Sequence, residues 1–167
     1  MIRIIIFAIS INIDEQFLKF KKMNPIVKNI LALFTGLIVG AIVNMGFVKL
    51  GPMVIAPPAG ANLTTEEGLK AAMSMMEARH FVFPFLAHFF GSLVGAAITA
   101  YLAANNKRWL ALVVGGSFFI GGLMMIMKLP SPMWFNILDL GLAYFPAAFL
   151  GYKFVSRKGD SASHHTS

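Results

Sequence analysis

Apolar residues in this chain fall into four long runs, at residues 26–48, 81–102, 109–127 and 133–154. Each is close to the ~20 residues that an α-helix needs to cross the hydrocarbon core of a bilayer. The pattern therefore predicts an all-α fold, a membrane bundle of four transmembrane helices occupying residues 23–154. Three runs also carry a stripe of small or polar residues at i, i+3 or i, i+4 spacing. The first reads Ala32, Gly36, Gly40, Asn44; the second His88, Gly91 or Ser92, Gly95, Thr99; the fourth Asn136, Asp139, Ala143, Ala147, Gly151. Helices associate in lipid through such residues, so the stripes mark the faces turned toward the bundle interior. The third run is less regular, with Ser117, Gly121 and Lys128 on one side.

Between the first two runs lies a loop of residues 49–80. Pro52, Pro57 and Pro58 predict a stiff, extended opening to it. Thr64 and Glu67 then match a capping box, and Leu69, Ala72, Met73, Met76 and His80 recur at helical spacing. A short external amphipathic helix is expected there, lying on the membrane surface or over the mouth of the bundle. Pro84 suits the first turn of the second span, and Pro146 predicts a kink in the fourth, where a carbonyl one turn earlier loses its partner. Residues 1–22 read as an N-terminal extension. Their apolar run is too short to span and lacks a small-residue cleavage site, whereas Met23-Asn24-Pro25 begins the first span cleanly, so Met23 is the expected start of translation. Residues 155–167 are polar and expected to form a disordered cytoplasmic tail.

Composition agrees with this pattern: 57% of residues are apolar and only 13% charged, against roughly 25% charged in a soluble domain. Cysteine is absent, which excludes disulfides, thiolate metal sites and cysteine nucleophiles. The net charge of +7 comes from Lys and Arg flanking the apolar runs, with no basic face of interleaved aromatics, so nucleic acid is not the expected partner. Lys and Arg concentrate at the chain ends and at Lys107-Arg108, while residues 50–80 carry Glu66, Glu67 and Glu77 against Lys70 and Arg79. The positive-inside bias then puts both termini in the cytoplasm, and Trp109 and Trp134 at opposite membrane surfaces.

Counting from the ends of the runs sets Asn44, His88 and Asp139 at a common depth, on the order of 10 Å inside the outer surface. A lipid-facing Asp costs ~3 kcal/mol on insertion scales. Asn44, His88 and Asp139 are therefore expected to converge as an interior polar layer, extending outward through Asn136, Lys128 and His80. Three functional readings follow. In the first the layer is structural and fixes helix register. In the second, a coupled His and Asp pair serves a small proton- or cation-coupled permease or permease subunit, which needs an oligomer to enclose a pathway. In the third the chain is an accessory subunit of a larger membrane complex.

Other chemistry is poorly supported. Glu77 and His80 have the Glu-x-x-His spacing of di-iron bundles, but only one such motif is present, and a surface helix-capping pair is the plainer reading. A triad of Ser92 or Ser131 with His88 and Asp139 lacks a nucleophile elbow and an oxyanion hole. No catalytic residue and no cofactor is assigned.

At "FPFLAHFFGSLVGA", with "MVIAPPAGANLTTEEGLKAAM" and "LPSPMWFNILDLGLAYFPAAFLG", the chain resembles a group of small, uncharacterised bacterial integral membrane proteins with four spans. The resemblance covers roughly residues 23–154. It implies a bacterial inner-membrane setting, with no established activity to carry over. It does not extend to small multidrug exporters, which depend on a carboxylate in the first span; this first span has Asn44.

Overall fold

The computed structural model describes Lys19 and residues 22–163, and most of the expected N-terminal extension lies outside these residues. The described residues contain helices α1 (Pro25–Val54), α2 (Glu66–Met73), α3 (Val82–Leu102), α4 (Lys107–Lys128), α5 (Met133–Leu142) and α6 (Phe145–Ser163), with a 3-10 turn at Ala78–Phe81. Four helical segments, Pro25–Val54, Ala78–Leu102, Lys107–Lys128 and Met133–Arg157, are long and apolar enough to span a membrane.

The caps explain several boundaries. Asn24 starts α1 by accepting the Ile26 amide at 2.9 Å, with Pro25 in the first position, where its missing N–H costs nothing. The α3–α4 turn is closed by Asn106 in the left-handed conformation, φ 50°, which Asn tolerates better than most residues. Asn29 of α1 secures this turn by accepting the Ala104 amide at 2.9 Å and donating to the Asn105 carbonyl oxygen of its side chain at 2.6 Å.

Four boundaries differ from the sequence expectation. Helix α1 continues to Val54, past the expected end at residue 48, and takes Pro52 into its last turn. Proline there removes one hydrogen bond, while the Ile55 amide still closes on the Gly51 carbonyl at 2.8 Å, so extended backbone begins only at Ile55. Helix α2 is capped by Thr65, one residue later than expected, because Asn62 Oδ1 already engages the Thr64 amide and hydroxyl at 2.9 and 2.7 Å. It also stops at Met73, so Met76 and His80 lie outside it. The fourth span is broken at Ala143–Tyr144, close to the kink expected near Pro146, since Pro146 has no amide to offer the Leu142 carbonyl. Finally, α6 runs on to Ser163, past residue 155 where the tail was expected to lose order; extending an existing helix adds one bond per residue fixed.

Helix α3 is central and packs against α1, α4 and α6. Its contacts are built from small side chains. Ala96 and Ala100 meet Ala111, Val114 and Ala148 in a buried cluster flanked by Leu33, Leu37 and Phe118. Glycines set the closest approach. A methyl group at Gly40 would lie 2.6 Å from the Gly91 carbonyl oxygen, and one at Gly95 would lie 2.8 Å from that of Gly36. The antiparallel α1–α3 register follows, with Gly36 beside Gly95 and Gly40 beside Gly91.

Because its added methyl meets backbone, Gly40→Ala is expected to lower stability by about 1–3 kcal/mol. At Gly46 an added methyl meets nothing within 4 Å, so Gly46→Ala is expected to raise stability by about 0.5–1 kcal/mol through helix propensity alone. Thermal unfolding of the two variants checks the opposite signs; equal shifts would refute the close-approach account.

Candidate functional site

Helix α3 carries His88 on the face that also bears Gly91, Gly95 and Thr99, and α5 carries Asp139 toward it. The imidazole Nδ1 lies 2.9 Å from both carboxylate oxygens of Asp139. Asp139 is 2% exposed and the His88 side chain 22%. A carboxylate is an acceptor, so the network assigns the proton of this contact to Nδ1. The hydroxyl of Tyr144, which is fully buried, donates to the same carboxylate at 2.8 Å. Its ring stacks on that of His88 with centroids 5.4 Å apart, and the edge of Phe119 packs against it at 5.8 Å. Asp139 thus gathers two donors, one from α3 and one from the helix break.

Tyr144 was not anticipated from sequence. In an unbroken helix a residue five positions on faces a different side, about 140° around the axis. The break at Ala143–Tyr144 turns the ring back toward Asp139. Two signals could have pointed to it: Pro146, which forces a discontinuity, and the need of any tyrosine in an apolar run for a hydroxyl partner. Gly122 of α4 completes the arrangement, because a Cβ there would overlap the Tyr144 hydroxyl.

The remaining residues of the expected layer take no part in the cluster. The α1–α3 register sets Asn44 level with Ala87, at the depth of His88, where it packs against Gly91 without a hydrogen bond to His88 or Asp139. Asn136 accepts the Ser131 hydroxyl at 2.6 Å and donates to the Ser131 carbonyl at 3.3 Å, bridging the start of α5. Lys128 reaches outward to Glu66 of α2 at 3.7 Å. His80 accepts the Glu77 amide on Nδ1 at 2.9 Å and donates from Nε2 to the Ala56 carbonyl at 3.1 Å, which fastens the 3-10 turn to the segment after α1. Glu77 forms an ion pair with Arg79 at 3.0 Å. Among the described residues no three His, Asp or Glu side chains are grouped as metal ligands. Ser92 is fully buried and its hydroxyl has no hydrogen-bond partner among the described residues, so neither Ser92 nor Ser131 is hydrogen-bonded to His88.

A cavity of about 550 Å³ leads to this cluster. It is roofed by α2 and residues 55–64. Its lining reaches no deeper than His88 along α3, Gly122 along α4 and Asp139 along α5. Its walls are apolar, with Val48, Phe83, Met125, Ile126 and Leu129 prominent. One ion pair joins the roof to α4, Glu66 with Lys128 at 3.7 Å, while Lys70 of the same helix also meets Glu66 at 3.0 Å. These partners, the Lys70 hydrogen bond first, hold its carboxyl below the ordinary value of 4.5.

No protein-family model, curated protein or solved structure matches the chain, so function is argued from the geometry.

Removing the shared acceptor with Asp139→Ala strands two buried donors and is expected to cost at least about 2 kcal/mol. Ser92→Ala deletes a hydroxyl that has no partner and is expected to be neutral or stabilising. Unfolding midpoints of both variants measure this, and a harmless Asp139→Ala would show that the cluster holds nothing together. A carboxyl whose pKa is depressed by folding contributes stability above its unfolded value and loses it as pH falls through the folded one. The attachment of α2 to α4 should therefore hold at neutral pH and loosen well below pH 4.5, whereas Glu66→Gln should be loose throughout. Distances between spin labels on Ala71 and Gly121, both exposed and substituted by Cys, report this; a pH-independent distance in the label-bearing parent would count against the tie.

Proposed function

We propose that this is an integral, multi-pass membrane protein of the bacterial inner membrane, with both termini in the cytoplasm and the α2 cap outside. The observation that carries the reading is an inverted distribution of side chains. The interior holds Gly, Ala, Ser92, Thr99 and Asp139, while large apolar residues point outward: Ile26 is 69% exposed, Ile42 66% and Ile137 67%. In water so continuous an apolar surface would drive aggregation, whereas lipid is a good solvent for it. The cationic side chains Lys28, Lys107, Arg108, Lys153 and Arg157 lie toward the uncapped end, and acidic Glu66, Glu67 and Glu77 sit on the cap, which supports the orientation. Trp109 and Trp134 begin helices at opposite ends, in keeping with interfacial anchors.

Within that setting the His88–Asp139–Tyr144 cluster is a polar lock, which joins α3 to both halves of a discontinuous span. A second reading, a proton-coupled permease, is favoured by one observation: the cavity reaches the locked histidine. The natural chain has no cysteine, so single replacements report topology directly. Asn62→Cys should react with an impermeant maleimide in intact cells and Lys107→Cys only after permeabilisation; equal reactivity would sink the orientation. Asp139→Asn retains an acceptor and is expected to fold within about 1 kcal/mol of the parent. A folded Asp139→Asn protein that abolishes proton-linked uptake would favour the permease over the lock.

A further inference from the structure

We propose that the cavity beneath α2 binds a small lipophilic molecule carrying one hydrogen-bond-donating hydroxyl, which donates to Nε2 of His88. The inference rests on the lock for the tautomer of His88, and it is independent of membrane orientation.

The cavity's volume, about 550 Å³, falls within the ~300–1,000 Å³ of small-molecule sites. Such sites pair apolar walls with a few polar groups that fix orientation. Here the polar inventory is short, and most of it is already committed. Both ring nitrogens of His80 are engaged by backbone, the Ser131 hydroxyl donates to Asn136, and the Thr64 hydroxyl donates to Asn62. The oxygens of Asp139 receive His88 and Tyr144. Lys49 is exposed, toward the capped end of α1. Among the lining side chains that leaves Nε2 of His88, which has no hydrogen-bond partner among the described residues and belongs to the deepest cavity-lining residue of α3. With Nδ1 donating to the carboxylate, Nε2 carries a lone pair and accepts. An acyl chain or an ether offers that nitrogen nothing. A hydroxyl on an apolar body satisfies it and brings no charge into apolar walls.

Discrimination follows from the same chemistry. A site built around a hydrogen bond penalises the analogue that lacks the donor, because its own polar group is then left unpaired. Phenols and aliphatic alcohols share the required group, so both are probes. The experiment titrates the purified full-length protein in nanodiscs with para-hexylphenol, octanol and the methyl ether para-hexylanisole, following the His88 Nε2 nitrogen resonance.

A saturable shift is expected with at least one hydroxyl compound, with the ether at least about tenfold weaker. Saturation by the phenol alone assigns an aromatic hydroxyl, by octanol alone an aliphatic one, and by both a site that reads only the donor. Ile126→Trp, which narrows the cavity without touching the lock, should lose the response while unfolding at the parent temperature. The proposal is overturned if the ether matches the phenol, if Ile126→Trp binds like the parent, or if no probe saturates. Unfolding of Asp139→Ala without any probe tests the lock separately, so the two failures are distinguishable.

Discussion

A carboxylate with almost no access to water must have its lone pairs met from within, and Asp139 imposes that requirement on three helices at once. It draws the imidazole of α3 and the phenol that follows the break in the fourth span. Each donor in turn needs support. The phenol needs the missing side chain at Gly122, and the imidazole needs the narrow α1–α3 contact that holds its helix in register. The cost of burying the charge is therefore spread over a chain of steric conditions that the rest of the bundle satisfies. Short helix α5 is held by Asp139 at its inner end and, at its start, by Trp134 and Phe135 packed against the buried Phe81 ring, with centroids 5.7 and 4.8 Å away.

The remaining packing works by close approach, not by large interdigitating side chains. Alanine and glycine along α1, α3, α4 and α6 let backbones come near one another, and dispersion accumulates over many short contacts. Thr99 adds a side-chain hydrogen bond to the Ala32 carbonyl across α1 and α3 at 3.2 Å. At the uncapped end, Arg108 and Lys153 both lie over the Phe149 ring, at 5.4 and 4.9 Å from its centroid, so one aromatic ring serves two cations. The two ends of the bundle thus differ in kind: one is a tight turn fixed by Asn29, the other a roofed cavity.

The four helices long and apolar enough to cross a membrane were legible because hydropathy over some twenty residues is a strong signal that tertiary context rarely reverses. The interior faces were legible from small residues at helical spacing, and the His88–Asp139 contact from depth counting along two such faces. Asn44 shows the limit of counting. The glycine register sets it level with Ala87, so its depth agrees with that of His88, but equal depth does not make a contact, and its side chain lies against Gly91. Lys128 and Asn136 were placed by face alone, and local partners claimed them first. Tyr144 was hidden because its position depends on a break, and periodicity describes only unbroken helices. The one-residue shift of the α2 cap has a similar origin: Asn62 competes for Thr64 through a turn that no helix rule counts.

The overlap that a side chain at Gly122 would create with Tyr144 also limits how this sequence can drift. Positions 88, 122, 139 and 144 constrain one another, so a change at one that removes a hydrogen-bonding group or adds bulk is felt at the others. Phenylalanine at 144 would leave the carboxylate short of a donor without freeing position 122, because the ring Cζ would still lie 2.6 Å from an added methyl. Loss of the carboxylate would in turn release the histidine. A side chain at 122 therefore requires a much smaller one at 144, whereas position 139 can exchange its carboxylate for another acceptor alone, so the steric pair should drift together and the polar members more freely.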